Sequence, residues 1–284
     1  MNVADRPVTM RQMIDDAAAV LAAAGVGSPR VDAELLAAHV TGTERGRVAF
    51  VQPDDAFAAR YRELVTARAE RVPLQHLTGT AAFGPVTVQV GPGVFVPRPE
   101  TESVLEWAVA QPLPARPRIV DLCTGSGALA LALAVAFPAA QVTAVDDSEA
   151  ALDYARGNVA DSSVQLVRAD VTAPGLLADL DGSVDLLVAN PPYIPAGALL
   201  EPEVAQYDPA HALFGGADGM SVIGPIVDAA ARLLRPGGRC AVEHDDTTSE
   251  QTVAAFTRDG GFVDVTARHD LAGRPRFVTA VRAG

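Results

Sequence analysis

From Arg118 onward the chain alternates between β-prone apolar runs and helical runs, and this alternation limits the fold more than any other feature. Strands are expected to begin at Arg118, Gln141, Val164, Val184 and Arg239, with helices between them. A parallel pair cannot be joined by a tight turn; it needs a long crossover, usually a helix. Successive βα units therefore imply a doubly wound α/β sheet. Two further β-rich runs, 262–267 and 276–281, have no helix between them. They are expected to close the sheet as a hairpin with an antiparallel edge strand. Thr248-x-x-Gln251 and Gly260-Gly261 bracket the last helix.

The run Val184-Asp185-Leu186-Leu187-Val188-Ala189 reads as a buried strand that stops at Asn190-Pro191-Pro192-Tyr193. Neither proline has an N–H to donate, so the ladder cannot continue. The chain must leave the sheet in a stiff, extended elbow at the carboxyl end of a strand, where open α/β sheets place their ligands. Such an elbow suits transfer to a planar –NH2 group. The nitrogen of an amide or amino-base is a poor nucleophile because its lone pair is delocalised. Two acceptors, the Asn190 side-chain oxygen and the Pro191 carbonyl, can take both of its hydrogens, and the Tyr193 ring can pack on the flat group. A plain strand-ending Pro-Pro turn with a packed Tyr is the alternative; the motif upstream weighs against it.

That motif begins with Ile119-Val120-Asp121-Leu122, which runs into Cys123-Thr124-Gly125-Ser126-Gly127 and a helix over 128–137. Glycines here permit a tight turn and close approach of a ligand to the backbone. The next strand ends at Asp146-Asp147, where an acid can hold ribose hydroxyls. Gly125-x-Gly127-x-x-Ala130 also satisfies the dinucleotide fingerprint, so a nicotinamide cofactor is the rival. Asp121 favours S-adenosylmethionine, because a carboxylate there can meet the cationic methionine end. Asp170 is placed to reach the adenine amino group; a helix cap is the equal alternative.

Residues 9–72 read as short helices. Thr9-x-x-Gln12 forms a capping box, Gly25 a stop, Ser28-Pro29 a cap and first turn, and Asp54 or Asp55 the cap of a third helix ending at Val72. Val86, Val88 and Val90 alternate with polar residues as a strand, and Val94-Phe95-Val96 returns after the turn Gly91-Pro92-Gly93. Domain boundaries follow at 1–77 for a helical unit, 78–98 for a hairpin linker and 99–284 for the α/β unit.

The formal net charge of -13 argues against direct binding to DNA, since nucleic-acid binders carry a basic stripe. The 2 cysteines, Cys123 and Cys240, and the 5 scattered histidines form no metal-ligand pattern. Met1-Asn2-Val3-Ala4-Asp5-Arg6-Pro7 shows no basic start leading to a signal-type apolar core. The longest apolar run falls short of the roughly 18 residues a membrane span needs. A cytoplasmic protein without a membrane partner is expected. Glu243-His244 at a strand end reads as a structural carboxylate and a satisfied histidine, and Cys240 and Trp107 read as core.

With Asp121 to Gly127, Asp146 and Asn190 to Tyr193 in order, the chain resembles class I S-adenosylmethionine-dependent methyltransferases. More narrowly it is similar to the HemK/PrmC family of protein-(glutamine-N5) methyltransferases. Pro73-Leu74-Gln75-His76-Leu77-Thr78-Gly79, Pro97-Arg98-Pro99-Glu100-Thr101-Glu102, Tyr207-Asp208-Pro209-Ala210-His211-Ala212-Leu213 and Gly215-Gly216-Ala217-Asp218-Gly219 resemble signatures of that family. The resemblance implies a seven-stranded, Rossmann-like methyltransferase sheet behind a helical domain that recognises substrate. It implies methylation of the glutamine in the Gly-Gly-Gln motif of peptide chain release factors, with S-adenosylhomocysteine as product. Carried over by position, Cys123, Thr124, Gly125, Ser126 and Gly127 line the methionine part of the cofactor, with Asp121 beside them. Asp146 holds the ribose, and Asp170 and Val171 border the adenine. Asn190, Pro191, Pro192 and Tyr193 hold the substrate glutamine, with Asn190 also next to the cofactor. Cys123 stands where the family usually has Gly, and Val171 where some members carry an aromatic. A ribosomal-protein glutamine, an amino group of nucleic acid, or a non-catalytic binding role remain as alternatives.

Overall fold

The computed structural model describes residues 8–258, 260–270 and 272–284. Residues 1–7, read above for a signal, lie outside them. Among the described residues no helix is long and apolar enough to cross a membrane.

The chain divides into two compact units, Met1–Gly79 with Glu201–Tyr207, and Thr80–Leu200 with Asp208–Gly284. In the first, helices α1 (Met10–Ala23), α2 (Pro29–Thr41), α3 (Asp55–Ala69) and α4 (Leu74–Thr78) surround Ile14, Leu21, Leu36, Tyr61 and Leu64. Their starts follow local chemistry: the Thr9–Gln12 capping box is formed, and Asp54 accepts from the Phe57 N–H. α3 ends at Ala69 rather than Val72, with Arg71 in a left-handed conformation. The segment Glu201–Tyr207 joins this unit through charge. Arg68, 5% exposed, bonds Asp32 at 2.7 Å and Glu203 at 2.9 Å, and Arg71 bonds Glu203 at 2.8 Å.

The second unit opens with strands β1 (Thr80–Phe83) and β2 (Val86–Gln89), paired antiparallel. The expected return strand at Val94–Val96 does not form. The hairpin lies one strand earlier, turning at Gly84-Pro85, because Ala81 and Phe83 alternate inward opposite Val88 and Val86; Val94 and Val96 still bury their side chains as loop residues. Then follow α5 (Glu102–Val109), β3 (Arg118–Leu122), α6 (Ala128–Ala136), β4 (Gln141–Asp146), α7 (Glu149–Asn158), β5 (Gln165–Arg168), β6 (Val184–Ala189), α8 (Pro202–Tyr207, in the first unit), α9 (Ile223–Leu233), β7 (Leu234–Glu243), α10 (Ser249–Thr257), β8 (Phe262–His269) and β9 (Pro275–Arg282).

The sheet has 7 strands in the order β5-β4-β3-β6-β7-β9-β8. The antiparallel strand is therefore not at the edge: β9 inserts between β7 and β8 and pairs antiparallel with both. Burial explains the choice. β9 carries Phe277, Val278, Thr279 and Ala280 into the interior, whereas β8 is exposed along most of its length and is the strand that tolerates an edge. Cys240 is fully buried, and Trp107 is half-buried against the core, as the sequence suggests. Register then sets the site. Leu122 lies opposite both Val145 and Ala189, and Ala189 opposite Val242. The residues that follow β3, β4, β6 and β7 thus emerge together at the carboxyl end of the parallel strands.

Candidate functional site

The loop after β3 is held by backbone bonds to its neighbour. Thr124 N–H donates to the Val145 carbonyl at 2.9 Å, and Gly125 N–H to Asp146 Oδ2 at 2.8 Å. The other Asp146 oxygen accepts from Ser148 N–H at 3.0 Å and helps start α7. Space above the loop is open: nothing lies within 4 Å of where a Cβ on Gly125 would stand. Cys123 has φ 60°, the left-handed region where a side chain costs about 1–2 kcal/mol. This is the physical reason a glycine suits the position. Burial and the surrounding carboxylates push its thiol well up, so it is not a reactive thiolate.

Asp121 is 1% exposed and accepts from Thr124 Oγ1–H at 2.6 Å. Burial, with Asp146 nearby, pushes it up to about 7, and none of the groups acting on it is a cation. Asp146 is also raised, again chiefly by burial. Asp170 is exposed and lies in a turn, its Oδ1 accepting from Thr172 N–H at 2.8 Å and Oγ1–H at 2.7 Å. Those bonds hold it below the usual carboxylate range. Val171 is buried beside it. An open loop, a buried acid and a second acid at the next strand end suit a cationic amino-acid nucleoside such as S-adenosylmethionine.

The elbow after β6 is held differently. Asn190 Nδ2–H donates to Thr101 Oγ1 at 3.1 Å, across 89 residues of sequence. Tyr193 O–H donates to Glu243 Oε1 at 2.8 Å, which ties the phenol to the end of β7 and raises its pKa further than burial alone does. Ile194 N–H donates to the Leu213 carbonyl at 2.8 Å, and Gly215 N–H to the Ile194 carbonyl at 2.9 Å. The glycine-rich segment is pressed against the elbow. A Cβ on Gly215 would stand 2.6 Å from the Pro192 carbonyl oxygen, and one on Gly219, at φ 81°, 2.3 Å from that of Tyr193. No side chain fits there.

Sequence reasoning missed three parts of this arrangement. Thr101 sits in a stretch that reads as a charged helix start. Gly215 and Gly219 read only as part of a resemblance. Glu243 reads as a structural carboxylate, although its place at the end of a strand was a signal. His244 differs from expectation as well: its Nδ1 lies 2.8 Å from the Asp245 carbonyl oxygen, but Nε2 is buried without a hydrogen-bond partner. Arg98, of the same stretch as Thr101, pairs with the buried Asp208.

Residues 12–79 match the family described as PrmC N-terminal domain, and residues 90–207 the family described as Methyltransferase small domain. The chain is 69% identical over 274 residues to the release factor glutamine methyltransferase of Mycolicibacterium smegmatis, covering 96% of this chain and 98% of that one. It is 65% identical over 282 residues to the protein of the same name from Mycobacterium tuberculosis, covering 98% and 93%. In fold, it resembles the solved methyltransferase of Pyrococcus furiosus, with a TM-score of 0.52 and 19% identity over 72% of this chain and 92% of that one.

Proposed function

The chain belongs to the release factor glutamine methyltransferases, and from that premise we propose that it methylates the side-chain amide nitrogen of the glutamine in the Gly-Gly-Gln motif of peptide chain release factors. The observation that carries this reading is the register that brings the loop after β3 and the Asn190 elbow side by side, Leu122 opposite Ala189.

S-adenosylmethionine, when bound, supplies a methyl group on a sulfonium centre, already activated for transfer. Asp121 and the loop from Cys123 to Gly127 hold its methionine end. Asp146 takes the ribose hydroxyls, and Asp170 with Val171 borders the adenine. Asn190 Oδ1 and the Pro191 carbonyl accept the two hydrogens of the substrate amide. That fixes the nitrogen in place and lets positive charge build on it. Pro192 stiffens the elbow, and the Tyr193 ring packs on the amide plane while its hydroxyl stays on Glu243. Because an N-alkylated amide cation is strongly acidic, its proton passes to water without a strong base, and positioning supplies most of the catalysis. The helical unit recognises the release factor, in the cytoplasm.

The test is transfer of label from radioactive S-adenosylmethionine to a release factor, to the same factor with its Gly-Gly-Gln glutamine replaced, and to a DNA duplex. Label on the intact factor alone is expected. Label on the glutamine-replaced factor, or on DNA, overturns the proposal.

A further inference from the structure

Glu243 is 1% exposed at the end of β7 and is not part of the acceptor elbow. Its Oε1 accepts from Tyr193, and its Oε2 is buried without a hydrogen-bond partner. The Thr101 hydroxyl, itself 4% exposed, stands by the carboxylate and favours its charged form. Thr101 Oγ1 is also the atom that receives Asn190 Nδ2. One carboxylate thus adjoins both the hydroxyl that orients Asn190 and the hydroxyl of Tyr193.

The polarity of this chain has one consistent solution. An ionised carboxylate only accepts hydrogen bonds, whereas a threonine hydroxyl has one proton to give and lone pairs to receive with. With a bare, buried carboxylate oxygen at hand, that proton turns to Glu243. The Thr101 oxygen then accepts, so Asn190 must face it with its NH2 group. Asn190 Oδ1 is left for the acceptor. Were the chain reversed, Thr101 would donate to Asn190 Oδ1, and the NH2 group would meet the substrate amide, donor against donor.

We infer that Glu243 is a positioning residue for methyl transfer: through Thr101 it decides which end of the Asn190 amide meets the substrate. The inference rests on the reading of Asn190 as the acceptor of the amide hydrogens. The groups facing the carboxylate are Tyr193 from the elbow and Arg276 from β9, which favour its charge, and Glu100 from the turn before α5, which opposes it. His244 follows it in the chain. Burial outweighs the favourable contacts and holds the carboxyl at about 7. Protonated, it gains a donor of its own and no longer forces the Thr101 proton its way, so transfer falls as pH drops through that value.

The experiment is kcat against pH with a full-length release factor and saturating S-adenosylmethionine, so that the profile reports the loaded enzyme. Wild-type kcat is expected to fall below about pH 7. Glu243→Gln loses that acid limb and about 10–100-fold in kcat at high pH, the size typical of losing an orienting partner, with the calorimetric affinity for S-adenosylmethionine unchanged. Thr101→Val loses a similar factor, Thr101→Ser restores most of it, and the Glu243→Gln/Thr101→Val double variant is no worse than the weaker single one. Wild-type kcat and an intact limb in Glu243→Gln overturn the inference. If Glu243→Gln does not fold, the Thr101 pair decides: equal activity of Thr101→Val and wild type overturns it. A fully active Asn190→Ala protein overturns the acceptor reading beneath it; an inactive Asn190→Ala beside a normal Glu243→Gln overturns the positioning role alone.

Discussion

The loop after β3 and the elbow after β6 leave adjacent strands, yet they are built by opposite means. The loop is held chiefly through its own backbone groups, with Thr124 N–H on the Val145 carbonyl, Gly125 N–H on the Asp146 carboxylate and the Ser126 carbonyl accepting from Asn158, and by the Asp121–Thr124 pair within it. The elbow is held from far along the chain, by Thr101, Glu243 and the glycines at 215 and 219. A cofactor of fixed shape can be met by a local backbone cradle. An acceptor amide has to be met by groups that point the right way, and where one of them is a side chain, as proposed for Asn190, its direction is set by a partner on another element.

This contrast can be broken at either side. The largest effect is expected for Asn190→Ala, which removes the side-chain acceptor proposed to hold the substrate amide. Turnover should fall about 10³-fold, as when one such charge-stabilising contact is lost, while calorimetric binding of S-adenosylmethionine stays intact. Turnover near wild type would mean that the elbow is not the acceptor site.

Gly219→Ala comes next. The new methyl group would meet the Tyr193 carbonyl at a left-handed position, so the elbow must shift or the fold must yield. Overpacking and backbone strain together predict a loss of about 3 kcal/mol in urea unfolding. Transfer should fall more than cofactor affinity does. A silent substitution would show that the glycine segment does not brace the elbow.

Asp121→Asn tests the loop. It should weaken S-adenosylmethionine binding by about 10–100-fold, the worth of a charge-assisted contact, without altering the elbow. It should also change the stability profile of the ligand-free protein. The folded-state pKa of Asp121 is raised from 3.8 to about 7. The folded chain therefore binds that proton more tightly than the unfolded chain. The stability this confers is present below the unfolded pKa and is lost as pH rises toward about 7. Asp121→Asn should flatten that slope in thermal unfolding, leaving the slope of the same sign from Glu243. An unchanged profile would sink the assignment of the buried charge.

The smallest effect belongs to Cys123→Gly. It relieves a left-handed side chain, worth about 1 kcal/mol, but adds freedom to the unfolded chain of nearly the same size. Stability should therefore hardly move in chemical unfolding, while affinity for S-adenosylmethionine improves slightly as the loop loses its Sγ. A large loss of affinity would show that the sulfur contributes a contact.

The alternation from Arg118, the glycine loop and the Asn-Pro-Pro-Tyr stop were legible in the residues because each is a local statement. Side-chain period, the missing proline N–H and the turn chemistry of glycine act over a few positions, whatever the rest of the chain does. Family resemblance reached the activity through those motifs combined with Pro73 to Gly79, Pro97 to Glu102, Tyr207 to Leu213 and Gly215 to Gly219. The hairpin was misjudged by one strand because Val94 and Val96 are buried for reasons of packing rather than pairing, and burial alone does not distinguish the two. Only the assembled fold decided that β9 lies inside β8, that Glu201–Tyr207 packs with the helices through Glu203, and that Thr101 and Glu243 stand behind Asn190 and Tyr193. Those outcomes depend on strand order and register. Order and register come from burying the whole sheet at once, so no stretch of residues carries them alone.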